Sequence, residues 1–141
     1  MEPAENGCVS RPKILIVEDN SDVRRLYAIG LNQRGFEVKL AANGAEAVER
    51  IMSGEKPDVI LLDWLMPLMD GGEVLRRIAD DASHPATVIV ISGQPAPSPD
   101  KLDPRIQCWL TKPVSIDDLV DHIQRPRADH DAGEERRSRV S

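Results

Sequence analysis

Short unbroken apolar runs alternate along this chain with longer stretches in which apolar residues recur every three or four positions, and few folds accommodate that alternation. Ile14-Leu15-Ile16-Val17, after Lys13, is the first run, of the kind seen in a strand buried on both faces. Asn20 or Ser21 can then cap a helix whose expected apolar face is Val23, Leu26, Tyr27, Gly30 and Leu31. Gly35 ends it. Phe36, Val38 and Leu40 alternate with polar neighbours, which suits an edge strand. Ala45, Val48, Ile51 and Met52 give a second helical face, closed by Gly54 and Pro57. Val59 to Leu62 is a second buried run, and Val74, Leu75 and Ile78 mark a third helix. Thr87 to Ile91 and Ile106 to Leu110 read as strands four and five, and Ile116, Leu119, Val120 and Ile123 as the last helix.

Strand followed by amphipathic helix, repeated, implies a parallel sheet covered on both faces by right-handed crossovers. Five strands fit a doubly wound α/β fold of flavodoxin-like order 2-1-3-4-5. One unit breaks the rhythm. Pro95, Pro97, Pro99 and Pro104 stand where a fourth helix belongs, each removing an amide donor and restricting the residue before it. That helix is expected to be degenerate, at most a single turn begun at Ser98-Pro99-Asp100-Lys101.

The 141 residues suffice for one ordinary domain. Residues 1–12 and 125–141 are expected to be disordered tails flanking a folded unit over 13–124, because neither holds enough apolar surface to offset ordering entropy. Aromatics are only 3%, so the core must be aliphatic. No apolar run is long enough to cross a bilayer and the first ten residues carry no secretory pattern, so a cytoplasmic location is expected. A net charge of −6 speaks against direct DNA binding, and the arginines of the tail, Arg136, Arg137 and Arg139 among them, are nearly balanced by acids. Cys8 and Cys108 lie too far apart for a metal-ligand pair, Cys108 reads as a small core thiol, and His84, His122 and His130 are scattered.

In open parallel sheets, ligands bind beyond the carboxyl ends of the strands. At those ends stand Glu18-Asp19 after strand 1, Asp63 after strand 3, Ser92 after strand 4 and Thr111-Lys112 after strand 5. A single Asp, Ser or Lys in such a place is usually a cap or loop residue. Their collection on one sheet edge demands a chemical reason. Three carboxylates in one pocket raise one another's pKa unless a cation neutralises them. The candidate ligands are all hard oxygens, which favours Mg²⁺ or Mn²⁺ over zinc or copper. A carboxylate beside such a cation and a lysine is equipped to attack phosphorus.

Val17-Glu18-Asp19-Asn20, Asp63-Trp64-Leu65-Met66-Pro67-Leu68-Met69-Asp70-Gly71, Ile91-Ser92-Gly93 and Leu110-Thr111-Lys112-Pro113 together resemble the receiver domain of bacterial two-component response regulators. The resemblance runs in order and spacing over 13–124. It implies that Asp63 is the phospho-acceptor, fed by a histidine kinase or phosphotransfer protein. It implies that Glu18, Asp19, Asp63 and the backbone carbonyl of Leu65 hold Mg²⁺. Ser92 becomes the switch hydroxyl, Lys112 the phosphate partner with a cis peptide to Pro113, and Trp109 the switch aromatic. Leu65 and Gln94 stand where relatives tune autodephosphorylation.

The expected function is a stand-alone response regulator that signals through protein contacts. It is not an enzyme beyond self-directed phosphotransfer and autodephosphorylation. Because the prolines remove much of the relatives' dimer face, a monomer with no membrane contact is expected. A phosphorylation-independent receiver-like scaffold is the alternative. An aspartate-nucleophile phosphatase needs a second acid two residues past the nucleophile, where Leu65 stands. A flavin carrier needs a small-residue phosphate loop where Glu18 and Asp19 stand.

Overall fold

The computed structural model describes residues 12–67, 69–78 and 86–124. The expectations for both tails, and for Cys8, Leu68, His84, His130, Arg136, Arg137 and Arg139, lie outside those residues, Pro12 apart. The described elements are β1 (Lys13–Val17), α1 (Ser21–Gln33), β2 (Glu37–Ala41), α2 (Gly44–Met52), β3 (Val59–Asp63), α3 (Gly71–Ile78), β4 (Thr87–Ser92), β5 (Ile106–Thr111) and α4 (Ile116–Gln124). All strand pairs are parallel, in the order β2-β1-β3-β4-β5. This is the flavodoxin-like α/β sheet that the alternation predicts. A single 3-10 turn, Pro99–Lys101, replaces the helix between β4 and β5, where the prolines forbid a longer one.

The sheet separates two apolar layers. Leu15, Val17, Ile60, Leu62, Val88 and Val90 face α2 and α3, meeting Ala47, Ile51, Val74, Leu75 and Ile78. Ile14, Ile16, Leu61, Ile89 and Ile91 face α1 and α4, meeting Tyr27, Leu31, Leu119, Val120 and Ile123. Strands sandwiched this way need apolar residues at every position, which is why their sequences read as unbroken runs. Each fully buried Leu or Ile contributes about 1.5–3 kcal/mol relative to exposure.

Two helix faces differ from expectation. Leu26 is 61% exposed, and α1 packs through Tyr27 and Leu31 instead. In α2 the buried residues are Gly44, Ala47 and Ile51, whereas Ala45 is exposed and Met52 is 57% exposed. Both helices carry more apolar residues than one stripe can bury, and the sheet accepts only one.

Local signals set the helix ends. Asn20 caps α1, its side-chain oxygen accepting from the amides of Asp22 and Val23. Asn43 accepts from Glu46 N–H at the start of α2, and Asp70 Oδ1 accepts from Glu73 N–H at the start of α3. Gly35 follows α1 with φ +93°, a conformation that favours glycine. At the amino ends of the strands, Asp58 Oδ2 accepts from Lys13 N–H at 2.8 Å. Its own N–H donates to Lys13 O at 2.8 Å, and its carbonyl accepts from Thr87 N–H at 2.9 Å. One residue thus joins the starts of β1 and β4. Among the described residues, no helix is long and apolar enough to cross a membrane.

Candidate functional site

Parallel strands end together, so the residues following β1, β3, β4 and β5 share one edge of the sheet. Glu18 is 2% exposed and tightly framed. Its N–H donates to Ala41 O at 3.2 Å, its carbonyl accepts from Arg24 Nη1 at 2.9 Å, and Oε2 accepts from Asn20 N–H at 3.2 Å. Asp63, the last residue of β3, is 4% exposed, while Asp19 is open to solvent. Glu18, Asp19 and Asp63 each present an oxygen within 4.8 Å of the others.

Lys112 reaches this group from β5. Its Nζ lies 3.4 Å from Glu18 Oε1 and 3.5 Å from Asp63 Oδ1. Its N–H donates to Ser92 O at 2.8 Å, fixing the loop, and its peptide to Pro113 is cis, as the resemblance implies. Ser92 is fully buried at the end of β4, and its Oγ accepts from Gln94 N–H at 3.0 Å.

The electrostatics follow from this crowding. Burial first, and the Glu18 charge second, push Asp63 up to about 7, against the pull of Lys112. Burial draws Lys112 down, but Glu18 and Asp63 outweigh it and hold the ammonium above its ordinary value. The Lys112 ammonium contacts two of the three carboxylates, leaving excess negative charge in a partly buried pocket. An oxygen-only donor set with that charge fits a hard divalent cation, and the exposed side at Asp19 leaves an approach from solvent.

Leu65, two residues past Asp63, is 51% exposed. Trp109 lies on β5 outside the carboxylate group. Its indole Nε1–H donates to Gln94 O at 2.8 Å, and its ring meets Trp64, with centroids 5.1 Å apart and planes tilted 52°.

Two neighbours of the site escape a reading of the sequence. Tyr27 fits the apolar stripe of α1, yet burial and then the charge of Glu18 push its hydroxyl up. Trp64 adjoins Asp63 in sequence, but its meeting with Trp109 depends on how β3 and β5 lie in the sheet. Cys108 is only half-buried, and His122 is not isolated. The Cys108 sulfur lies 3.6 Å from His122 Nδ1.

The family model described as "Response regulator receiver domain" matches residues 14–124. "Response regulator receiver protein CpdR" of Brucella abortus is 37% identical over 116 residues, covering 80% of this chain and 94% of that protein. "Transcriptional regulatory protein PrrA" of Mycobacterium leprae is 35% identical over 117 residues, covering 82% of this chain but 50% of its own length. The chain thus spans nearly all of the first relative and half of the second. Among solved structures, the response regulator protein TrrA from Thermotoga maritima, in complex with Mg²⁺-BeF, superposes with a TM-score of 0.70 at 27% identity. The match covers 80% of this chain and 96% of that one.

Proposed function

This chain belongs to the response regulator receiver family, the signalling modules of two-component systems, and from that premise we propose that Asp63 is its phospho-acceptor. The observation that carries the reading is the buried Asp63 carboxylate, grouped with Glu18 and Asp19 and bridged by Lys112. Receiver domains bind Mg²⁺ at such an acidic site. Here Glu18, Asp19, Asp63 and the backbone carbonyl of Leu65 would hold it. When bound, the cation supplies positive charge against the carboxylates and the incoming phosphoryl oxygens.

The ionised Asp63 carboxylate attacks phosphorus of a histidine kinase or phosphotransfer protein's phosphohistidine. A P–O bond forms, the P–N bond breaks, and the imidazole keeps the electron pair. Lys112 pairs with a phosphoryl oxygen, and the Ser92 hydroxyl turns to donate to another. Leu65 offers no hydrogen bond to a water approaching the acyl phosphate, which favours a long-lived phosphorylated form.

The resulting charge, roughly two negative units, acts on the segment after Ser92, with Trp109 repacking against it. We read the chain as a stand-alone, monomeric, cytoplasmic module that signals by protein contact. The net charge of −6 supports contact with protein rather than with nucleic acid.

Incubation with acetyl phosphate and Mg²⁺ should add one acid-stable, base-labile phosphoryl group to the wild type and none to Asp63→Asn. Asp19→Asn should weaken Mg²⁺ binding tenfold or more in calorimetry, on the order of 1.4 kcal/mol. Label retained in Asp63→Asn would move the nucleophile elsewhere. The reduced crossover between β4 and β5 favours one second reading, a scaffold independent of phosphorylation. A wild type that takes no label from acetyl phosphate or from histidine kinases would support it.

A further inference from the structure

The half-buried Trp64 ring is seated on the start of α3. A Cβ placed on Gly71 would lie 2.5 Å from Trp64 Cε3, so only glycine lets the start of α3 close under the indole. Gly71 N–H also donates to Trp64 O at 2.9 Å, which locks that turn onto β3. From this seat the ring meets Trp109 across the sheet edge, in a tilted contact of the favourable kind. Trp109 in turn donates to the carbonyl of Gln94, the residue that opens the exposed loop between β4 and β5. The backbone of Gln94 is thus gripped twice, its carbonyl by Trp109 and its N–H by the Ser92 hydroxyl oxygen.

We infer that Trp64 is a positioning residue for Trp109, tying the loop that opens at Gln94 to the chain beside Asp63 by a route that does not pass through the Ser92 hydroxyl. The route runs from the turn at Gly71 to the Trp64 ring, to the Trp109 ring, to Gln94. Every step is a contact present in the structure. Displacement of the β3–α3 turn by a group on Asp63 moves the seat of Trp64 and hence the loop. Loss of the Ser92 contact alone leaves this connection standing. The inference rests on the phospho-acceptor reading for what moves the turn, but not for the coupling of the two rings.

Indole ¹⁵N spectra of the full chain separate the two tryptophans and supply the test. Without added metal, Trp64→Leu should speed hydrogen exchange at the Trp109 indole about three- to tenfold, the weight of one aromatic pair. Trp64→Phe, which keeps a ring on the seat, should restore most of that protection. Gly71→Ala, which crowds the seat and leaves Trp64 in place, should resemble Trp64→Leu and covers the case in which that variant folds poorly. With Mg²⁺ and beryllofluoride, the Trp109 indole signal should move in wild type and in Ser92→Ala, and move much less in Trp64→Leu. Unchanged Trp109 exchange in Trp64→Leu and Gly71→Ala overturns the inference. So does a Trp109 response abolished by Ser92→Ala alone. Failure of the phospho-acceptor reading looks different: beryllofluoride moves no signal in wild type, while the metal-free exchange still decides whether Trp64 holds Trp109.

Discussion

Two adjacent crossovers do the same topological work with different means. From β3 to β4 the chain passes through α3, whose Val74, Leu75 and Ile78 close over the sheet. From β4 to β5 it passes through a loop and one 3-10 turn. Every residue of β4 is buried, whereas none of β5 is. The right-handed crossover rule would put the missing helix on the face already holding α2 and α3. Ile106 and Trp109 point to that face and pack only against its margin. A helix is thus not required to set strand order, and β5, at the edge of the sheet and without that cover on one face, stays only half-buried.

The largest effect that would break the contrast lies in the strands themselves. On the face that lacks the helix, Val90→Ala in β4 should cost about 2–3 kcal/mol of unfolding free energy in urea, and Ile106→Ala in β5 about 1 kcal/mol. Equal losses would mean that β5 is covered after all.

A smaller effect concerns what fastens the loop in place of a helix. Arg105 Nη2 donates to Leu75 O, in the last turns of α3, at 2.8 Å and to Asp103 Oδ2 at 2.9 Å. Arg105→Ala should cost about 1–2 kcal/mol and raise exchange in the loop more than in α3.

The smallest effect is a difference in pH response. Asp63, where the first crossover begins, has its carboxyl raised to about 7. Between the ordinary carboxylate range near 4 and about 7 the folded state therefore binds more protons than the unfolded. Stability from this group falls as pH rises through that window. Asp103, in the second crossover, is held below its ordinary value by the Arg105 guanidinium, so its contribution is present above the ordinary range and is lost as pH falls below it. Urea midpoints in chelator should thus rise on acidification from pH 8 to about 5 and drop again below about 4. Asp63→Asn should flatten the upper slope and Asp103→Asn the lower one.

Much of this was legible in residue order alone. Unbroken apolar runs located the buried strands because both faces of the sheet are covered, and the four prolines located the missing helix because their chemistry is local. The group of Glu18, Asp19, Asp63 and Lys112 was legible because parallel strands carry their C-terminal residues to a common edge. What failed was phase. Leu26, Ala45 and Met52 belong to apolar stripes as good in sequence as those that became buried, and only the sheet chooses between them. The Trp64–Trp109 contact and the place of Tyr27 needed the same tertiary knowledge.

Asp58 pins the sheet at one end, as the ribs of a fan are pinned. Its hydrogen bonds rivet the starts of β1 and β4 at the end away from Asp63. Sliding one rib past another would break the rivet together with the ladder beside it. The rim that carries Asp63 lies about 17 Å away for a strand of five residues, and the ladders joining β1, β3 and β4 run without a shift from rivet to rim. A charge added at the rim therefore arrives at the end of the sheet farthest from its rivet.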